Sequence, residues 1–183
     1  MPTLFSHPAV PLALGLGLGP RAVPPRLLAT GIVASILPDL DVVGLYLGVP
    51  YSAGLGHRGA THSLLFAAAV GLAGAFGRRA LGAGAGSCFL FLFAVTASHA
   101  VLDGFTDGGL GVAFLWPWSA RRYGAPWVLR VIKVSPITVT DFFAKGGLRV
   151  LASELVWIWP PALAVGLILF AVRRAAGRER TEA

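Results

Sequence analysis

An all-α, polytopic membrane bundle with four or five membrane segments and a polar or metal cluster near one membrane face is the architecture this sequence predicts. Three observations point to it. The chain is 56% hydrophobic and only 13% charged, with a mean hydropathy of +0.75, whereas soluble domains carry about 25% charged residues. Its apolar runs approach the roughly 20 residues that a spanning helix needs. Its 24 glycines suit helices that pack closely in lipid. The 183 residues read as one integral domain over 1–172 followed by a basic polar tail over 173–183. The net charge is +7, but the basic residues are scattered and flank apolar runs. Membrane lipids are therefore the expected partners, and nucleic acid is not. The lone Cys88 excludes a disulfide framework and a thiolate metal site. No basic n-region precedes the first apolar stretch, so no cleavable signal peptide is expected.

Each segment has its own signal. Pro8 to Pro20 is apolar and glycine-rich but short, a short span or a re-entrant segment with His7 at its start. Leu27 to Val49 is long enough to cross, but Pro38-Asp39-Leu40-Asp41 interrupts it, because proline removes a backbone donor. Pro50 to Thr61 is a Gly/Ser/Tyr-rich loop. His62 to Gly77 is the next apolar run, closed by Arg78-Arg79, with Thr61 and Ser63 as candidate caps. Ala80 to Ser98 is free of charge and ends at His99. Asp103 to Leu110 reads as a turn that includes Asp107. Leu115 to Trp118 gives an aromatic interface signal, and Arg121-Arg122 read as head-group contacts. Val128 to Val139 suits a short strand or an interfacial segment. Leu155 to Val172 is the last uncharged run, followed by Arg173, Arg174, Arg178 and Arg180. With five segments and an outside N-terminus, the loops at Arg21/Arg26 and Arg78/Arg79 and the basic tail fall on the cytoplasmic side. The unusual polar residues then meet at the outer face. Inverting the topology changes the face and keeps the convergence.

Those polar residues carry the chemistry. All four histidines stand beside apolar runs, where an imidazole or carboxylate is costly unless something binds it. His99 and Asp103 are four apart, on one face of a helix. Asp39 and Asp41 add oxygen ligands, and His57, His62 and His7 add imidazoles. The N/O ligand set suits zinc, manganese or iron. Such a metal polarises a phosphoryl oxygen and activates water. Arg58 reads either as a phosphate or lipid head-group ligand or as an interface anchor.

Four stretches together carry a resemblance: Pro38-Asp39-Leu40-Asp41, Gly56-His57-Arg58-Gly59-Ala60-Thr61-His62-Ser63, Ser98-His99-Ala100-Val101-Leu102-Asp103 and Leu115-Trp116-Pro117-Trp118. With His7, they closely resemble the YdjM-like membrane-bound metal-dependent hydrolases, over roughly residues 5–125. That resemblance implies an integral protein of a bacterial or archaeal cytoplasmic membrane. The family is distantly similar to the zinc-dependent phospholipase C and P1 nuclease group, all-helical enzymes with clustered zinc ions. Carried over, Asp103 bridges two metals. His99, one of His57/His62, and Asp39 or Asp41 hold the first, and His7 helps hold the second. No histidine follows His99, so one or two ions are expected, zinc first and manganese as the alternative.

The function expected from these readings is a membrane-bound hydrolase that cleaves a phosphoester, in a phospholipid or another substrate, through a metal-activated water. Arg58 would stabilise the developing negative charge. Asp39 or Asp41, whichever is not a ligand, would be the general base. The competing reading is a non-catalytic membrane scaffold or lipid-binding protein with a structural metal. A transporter using intramembrane acids fits less well, because most polar residues lie at segment ends.

Overall fold

The computed structural model describes residues 1–136, 138–144 and 146–182. Helix α1 (Ala9–Leu18) occupies the short first run and stops at Gly19. Helix α2 (Pro25–Ala34) begins with proline at its first position, where the missing N–H has no partner to lose. The chain then tightens into a 3-10 turn, Leu37–Asp41, and resumes as α3 (Val42–Tyr46). The predicted interruption thus falls at Pro38, whose ring disfavours helical geometry in the residue before it. Helix α4 (Leu64–Phe76) starts at Ser63, whose Oγ accepts from the Phe66 N–H at 3.1 Å. A short α5 (Arg78–Leu81) ends at the left-handed Gly82. Helix α6 (Ala85–Gly104) is 20 residues long. It runs past the uncharged stretch through His99, so Asp103 lies in its last turn, on the helix that the spacing predicts it to share with His99. Helices α7 (Val139–Ala144), α8 (Gly147–Trp157) and α9 (Trp159–Glu182) complete the chain. The basic tail continues α9 to Glu182; the side chains of Arg178 and Arg180 lie outside the described residues.

Among the described residues, three helical stretches are long and apolar enough to cross a membrane: Pro25–Tyr46, Ala85–Gly104 and Gly147–Gly177. A tally of four or five would need α1 and α4 as well, at 10 and 13 residues, both short of the roughly 20 that a span requires. No strand forms among the described residues. The Val128 to Val139 stretch is a 3-10 turn, Trp127–Leu129, then extended chain that touches Thr106 through a single bridge at Ile132. Ile137 within it lies outside the described residues.

Helix α6 packs on α4 and α2, and α1 packs on α9. The apolar core between α2 and α6 holds Leu27, Ala34, Phe91, Leu92 and Val95. A Cβ on Gly74 would stand 2.2 Å from Leu92 Cδ1, so glycine sets how closely α4 approaches α6. Large side chains such as Val33, Phe76, Leu90 and Ile168 face outward, as lipid contact demands.

The chain order puts the polar residues at one end of the bundle. His7 precedes the start of α1, and Asp39 and Asp41 follow the end of α2. His57 to His62 precede the start of α4, and His99 and Asp103 close α6. Successive antiparallel segments therefore deliver every one of these groups to the same end.

A Gly74→Val substitution is expected to force α4 and α6 apart and lower stability by about 1–3 kcal/mol. Thermal unfolding in detergent would show it as a lower midpoint, with a control at the lipid-facing Leu90→Ala left near the parent value.

Candidate metal centre

The loop that carries the densest polar motif is built by close backbone packing. A Cβ on Gly59 would stand 2.2 Å from the Gly54 carbonyl, so only glycine fits there. Arg58 takes a left-handed conformation with φ 62°, which is uncommon for a residue with a side chain and a mark of functional sites. Two bonds hold it: its N–H donates to Asp41 Oδ2 at 3.1 Å, and its carbonyl accepts from the Ala113 N–H at 3.0 Å. The segment after α6 thereby closes over the polar end.

Two groups of ligand atoms converge. Asp39, His62, His99 and Asp103, all buried, form the first; Asp41, His57 and His62 form the second. In the first group, His99 Nε2 lies 3.3 Å from Asp39 Oδ1 and 3.1 Å from His62 Nε2. His62 Nε2 lies 3.7 Å from Asp39 Oδ1 and 3.4 Å from Asp103 Oδ2. Four ligands around a tetrahedral ion with bonds of about 2.0 Å are separated by about 3.3 Å, the spacing seen here.

The far sides of the two imidazoles fix their tautomers. His99 Nδ1 is 2.8 Å from the Ser35 carbonyl, so it carries the hydrogen and donates. His62 Nδ1 is 3.1 Å from Asp41 Oδ2 and donates likewise. With both rings neutral, the two Nε2 lone pairs would face each other at 3.1 Å, a contact relieved either by a proton on His62 Nε2 or by a metal ion between the rings. Such outer partners are how proteins orient metal-binding histidines. The carboxylate oxygens of Asp39 and Asp103 are buried and held by ion pairs, Asp103 Oδ2 with Arg58 Nε at 2.8 Å and Asp39 Oδ1 with His99 Nε2 at 3.3 Å, without hydrogen bonds of good geometry, and both His7 nitrogens lack a hydrogen bond. Buried polar atoms in that state are costly unless an ion satisfies them. Asp39, Asp41 and Asp103 gather three carboxylates at this end of the bundle, faced by the Arg58 guanidinium, the Met1 amino group and Arg122, and a cation among the carboxylates would relieve their mutual repulsion. The residues thus fit a metal.

The remaining predicted residues sort around this group. His7 stacks on His99 with centroids 3.8 Å apart, its Nε2 3.8 Å from Asp39 Oδ2. Asp41 is taken up as an acceptor, bonding His57 Nδ1 at 2.6 Å and the Thr61 hydroxyl at 2.6 Å. Thr61 therefore steadies Asp41 and leaves the helix cap to Ser63. Arg58 is fully buried, with Nε 2.8 Å from Asp103 Oδ2 and its other nitrogens donating to Thr106 Oγ1 and the Gly108 carbonyl. It is no lipid-facing anchor. Arg122, expected at head groups, instead donates to the carbonyls of His57, Tyr51 and Ala53 and clamps the loop. Asp107 stays outside the cluster, paired with Lys133 at 2.8 Å.

Sequence reasoning missed Glu154. Midway along α8 and 1% exposed, its carboxylate accepts from the Thr3 N–H, the Thr3 hydroxyl and the Ser6 hydroxyl. It fastens the segment that carries His7. A single acid within an apolar stretch was the available signal.

Beyond this geometry, the chain matches known sequences. The profile of the family described as YdjM inner membrane protein covers residues 1–177. The chain belongs to the YdjM inner membrane protein family. The match reaches well past the 5–125 region that carried the resemblance and takes in α8 and most of α9. The chain is also 48% identical over 175 residues to the inner membrane protein YbcI of Escherichia coli strain K12, covering 95% of this chain and 100% of that protein. No solved structure matches it. This YdjM-family protein is an integral protein of the inner membrane, with a buried His/Asp group that can hold a metal ion. These matches do not show the wider similarity to the phospholipase C and P1 nuclease group.

Burial by itself would strip the proton from His62, yet Asp103, Asp39 and Asp41 outweigh it and raise its pKa to about 10. Without metal, that imidazole keeps its proton at neutral pH, and an incoming cation must displace it. Zinc affinity, measured by chelator competition, is therefore expected to weaken about tenfold for each unit fall in pH from about 8.5 to about 6.5. His62→Gln is expected to flatten that dependence. A parent affinity indifferent to pH would contradict the assignment.

Proposed function

We propose that this YdjM-family protein is a membrane-bound, metal-dependent hydrolase acting on a phosphoester. The observation that carries this reading is a juxtaposition. The buried group of Asp39, His62, His99 and Asp103 lies beside His57 and Arg58, and these two line a cavity of about 590 Å³. A divalent ion held by those four residues, zinc or manganese, supplies Lewis-acid polarisation and lowers the pKa of water.

The chain's own residues supply the rest. Arg58 keeps its guanidinium at the cavity wall, fixed by Asp103, Thr106 and Gly108. A donor held in place before reaction stabilises negative charge as it develops on a phosphoryl group. Asp39 belongs to the ligand group, which leaves Asp41 for proton transfer. Asp41 reaches the cavity through His57, whose Nδ1 it holds at 2.6 Å, so the Asp41–His57 pair is the proton acceptor in this reading. His7, stacked on His99, is placed to assist a second ion beside Asp39. With five segments and an outside N-terminus, the positive-inside tendency would put the site on the outer side, with the Arg21/Arg26 and Arg78/Arg79 loops in the cytoplasm.

One observation favours a second reading, a scaffold or lipid-binding protein with a structural metal. Four protein ligands, Asp39, His62, His99 and Asp103, would fill a tetrahedral shell, and closed shells are structural while open ones are catalytic.

The test is metal-dependent turnover of p-nitrophenyl phosphate and bis(p-nitrophenyl) phosphate by purified protein loaded with zinc or manganese. Hydrolysis is expected, lowered about 100-fold or more by Arg58→Gln and abolished together with metal binding by Asp103→Ala. Full metal loading with no turnover of mono- or diesters would favour the structural reading.

A further inference from the structure

The cavity beside Arg58 has a neighbour. Its wall at Met1, Ser135, Pro136 and Thr138 is shared with a second cavity of about 310 Å³. The two differ in chemistry. The first ends on Tyr51, His57 and Arg58. The second is lined by Leu4, Phe5, Phe142 and Phe143, contributed by the N-terminal segment and α7. Phe5 is 74% exposed and Phe143 is 81% exposed, so this apolar compartment opens to the surroundings of the bundle.

The geometry points to a single continuous site for a phosphate-bearing lipid, with its head group in the cavity against Arg58 and an acyl chain in the groove of Leu4, Phe5, Phe142 and Phe143. This deepens the hydrolase reading and rests on it for the assignment of the Arg58 side as the reacting end.

Three features select that occupant. A guanidinium at one end of the joined space complements an anionic phosphate. An aromatic and aliphatic lining at the other end complements a hydrocarbon chain. A small water-soluble phosphoester would fill the first cavity and gain nothing from the second. Phosphate lipids are also the anionic amphiphiles that surround an inner-membrane protein at high local concentration. The groove residues reach the site through contacts already described: the Ser135 N–H donates to the Met1 carbonyl at 2.9 Å, and Glu154 holds Thr3 and Ser6 on either side of Leu4 and Phe5. The N-terminal segment thus serves both compartments, carrying His7 toward the metal group and Leu4 and Phe5 toward the groove.

The test uses full-length protein in nanodiscs, loaded with zinc and doped with phosphatidic acid that bears a diazirine on one acyl chain. A diacylglycerol with the same label is the phosphate-free control. Crosslinked peptides are mapped by mass spectrometry. The expected result is labelling of residues 1–6 and 138–144 by the phosphatidic acid probe, at least about tenfold stronger than by the control. Phe143→Asp is expected to cut that labelling about tenfold while zinc content stays at the parent level. Because Phe143 is exposed, this variant keeps the core intact; Phe5→Asp provides a second one at the other wall. Equal labelling by the two probes would mean ordinary annular lipid and overturn the proposal. Labelling confined to the outer faces of α6 and α9 would do the same. So would protection of the Arg58 cavity by inorganic phosphate with no lipid crosslink in the groove, which would define a soluble anion site. Groove labelling without any cleavage of the lipid would leave this site standing and count against hydrolysis alone.

Discussion

The structure depends on one electrostatic constraint: carboxylates and imidazoles gathered at the end of an apolar bundle must be neutralised without water. Asp39, Asp103, His62 and His99 are buried almost completely, and the two Nε2 lone pairs converge at 3.1 Å. An arrangement of this kind is unfavourable as an empty polar cluster, since each unsatisfied group retains its desolvation penalty. It becomes favourable around a cation. The proton that His62 holds with a pKa of about 10 is the minimal version of that cation, and a divalent metal is the fuller one.

Much of the surrounding architecture follows from holding those groups in register. Ser35, at the end of α2, sets the tautomer of His99 through its carbonyl. Asp41, just beyond the break at Pro38, orients His57, His62 and Thr61 together. Arg58 accepts a left-handed backbone because its N–H, carbonyl and guanidinium are all engaged at once, by Asp41, Ala113 and Asp103. Gly59 lets that loop close. Arg122 of the covering segment then donates to three carbonyls of the loop. Each of these contacts joins residues far apart in sequence, so the loss of any one would disturb the ligand positions.

The sequence revealed the class of fold and the identity of the clustered residues more readily than their division of labour. Hydropathy exposes apolar helices directly, and the break at Pro38 follows from proline stereochemistry. The His99/Asp103 spacing identifies a shared helix face, which α6 provides. Which histidine meets which carboxylate is a different matter. His57 and His62 are equivalent by composition, and only the fold turns His62 to the buried group and His57 to the cavity. By sequence, Arg58 stays open between a phosphate or head-group ligand and an interface anchor, and Arg122 reads as a head-group contact; the bonds that bury them, Arg58 to Asp103 and Arg122 to His57, join segments distant in sequence. Glu154 was passed over because its partners, Thr3 and Ser6, lie at the opposite end of the chain. Of the two readings of Val128 to Val139, a short strand or an interfacial segment, the strand does not form, because the segment has only an isolated bridge at Ile132 and no strand to pair with among the described residues.

The central claim is that the buried His/Asp group exists to hold a divalent metal, and X-ray absorption at the metal edge tests it most directly. The protein would be extracted from membranes without chelator and its metal content measured in the same sample. The account predicts at least one zinc or manganese ion per chain, in a shell of nitrogen and oxygen at about 2.0–2.2 Å with no sulfur and with imidazole scattering from two rings. The shell would be lost in Asp103→Ala. A protein that carries no divalent metal as isolated and takes up none on reconstitution, or a shell that contains sulfur, would contradict it.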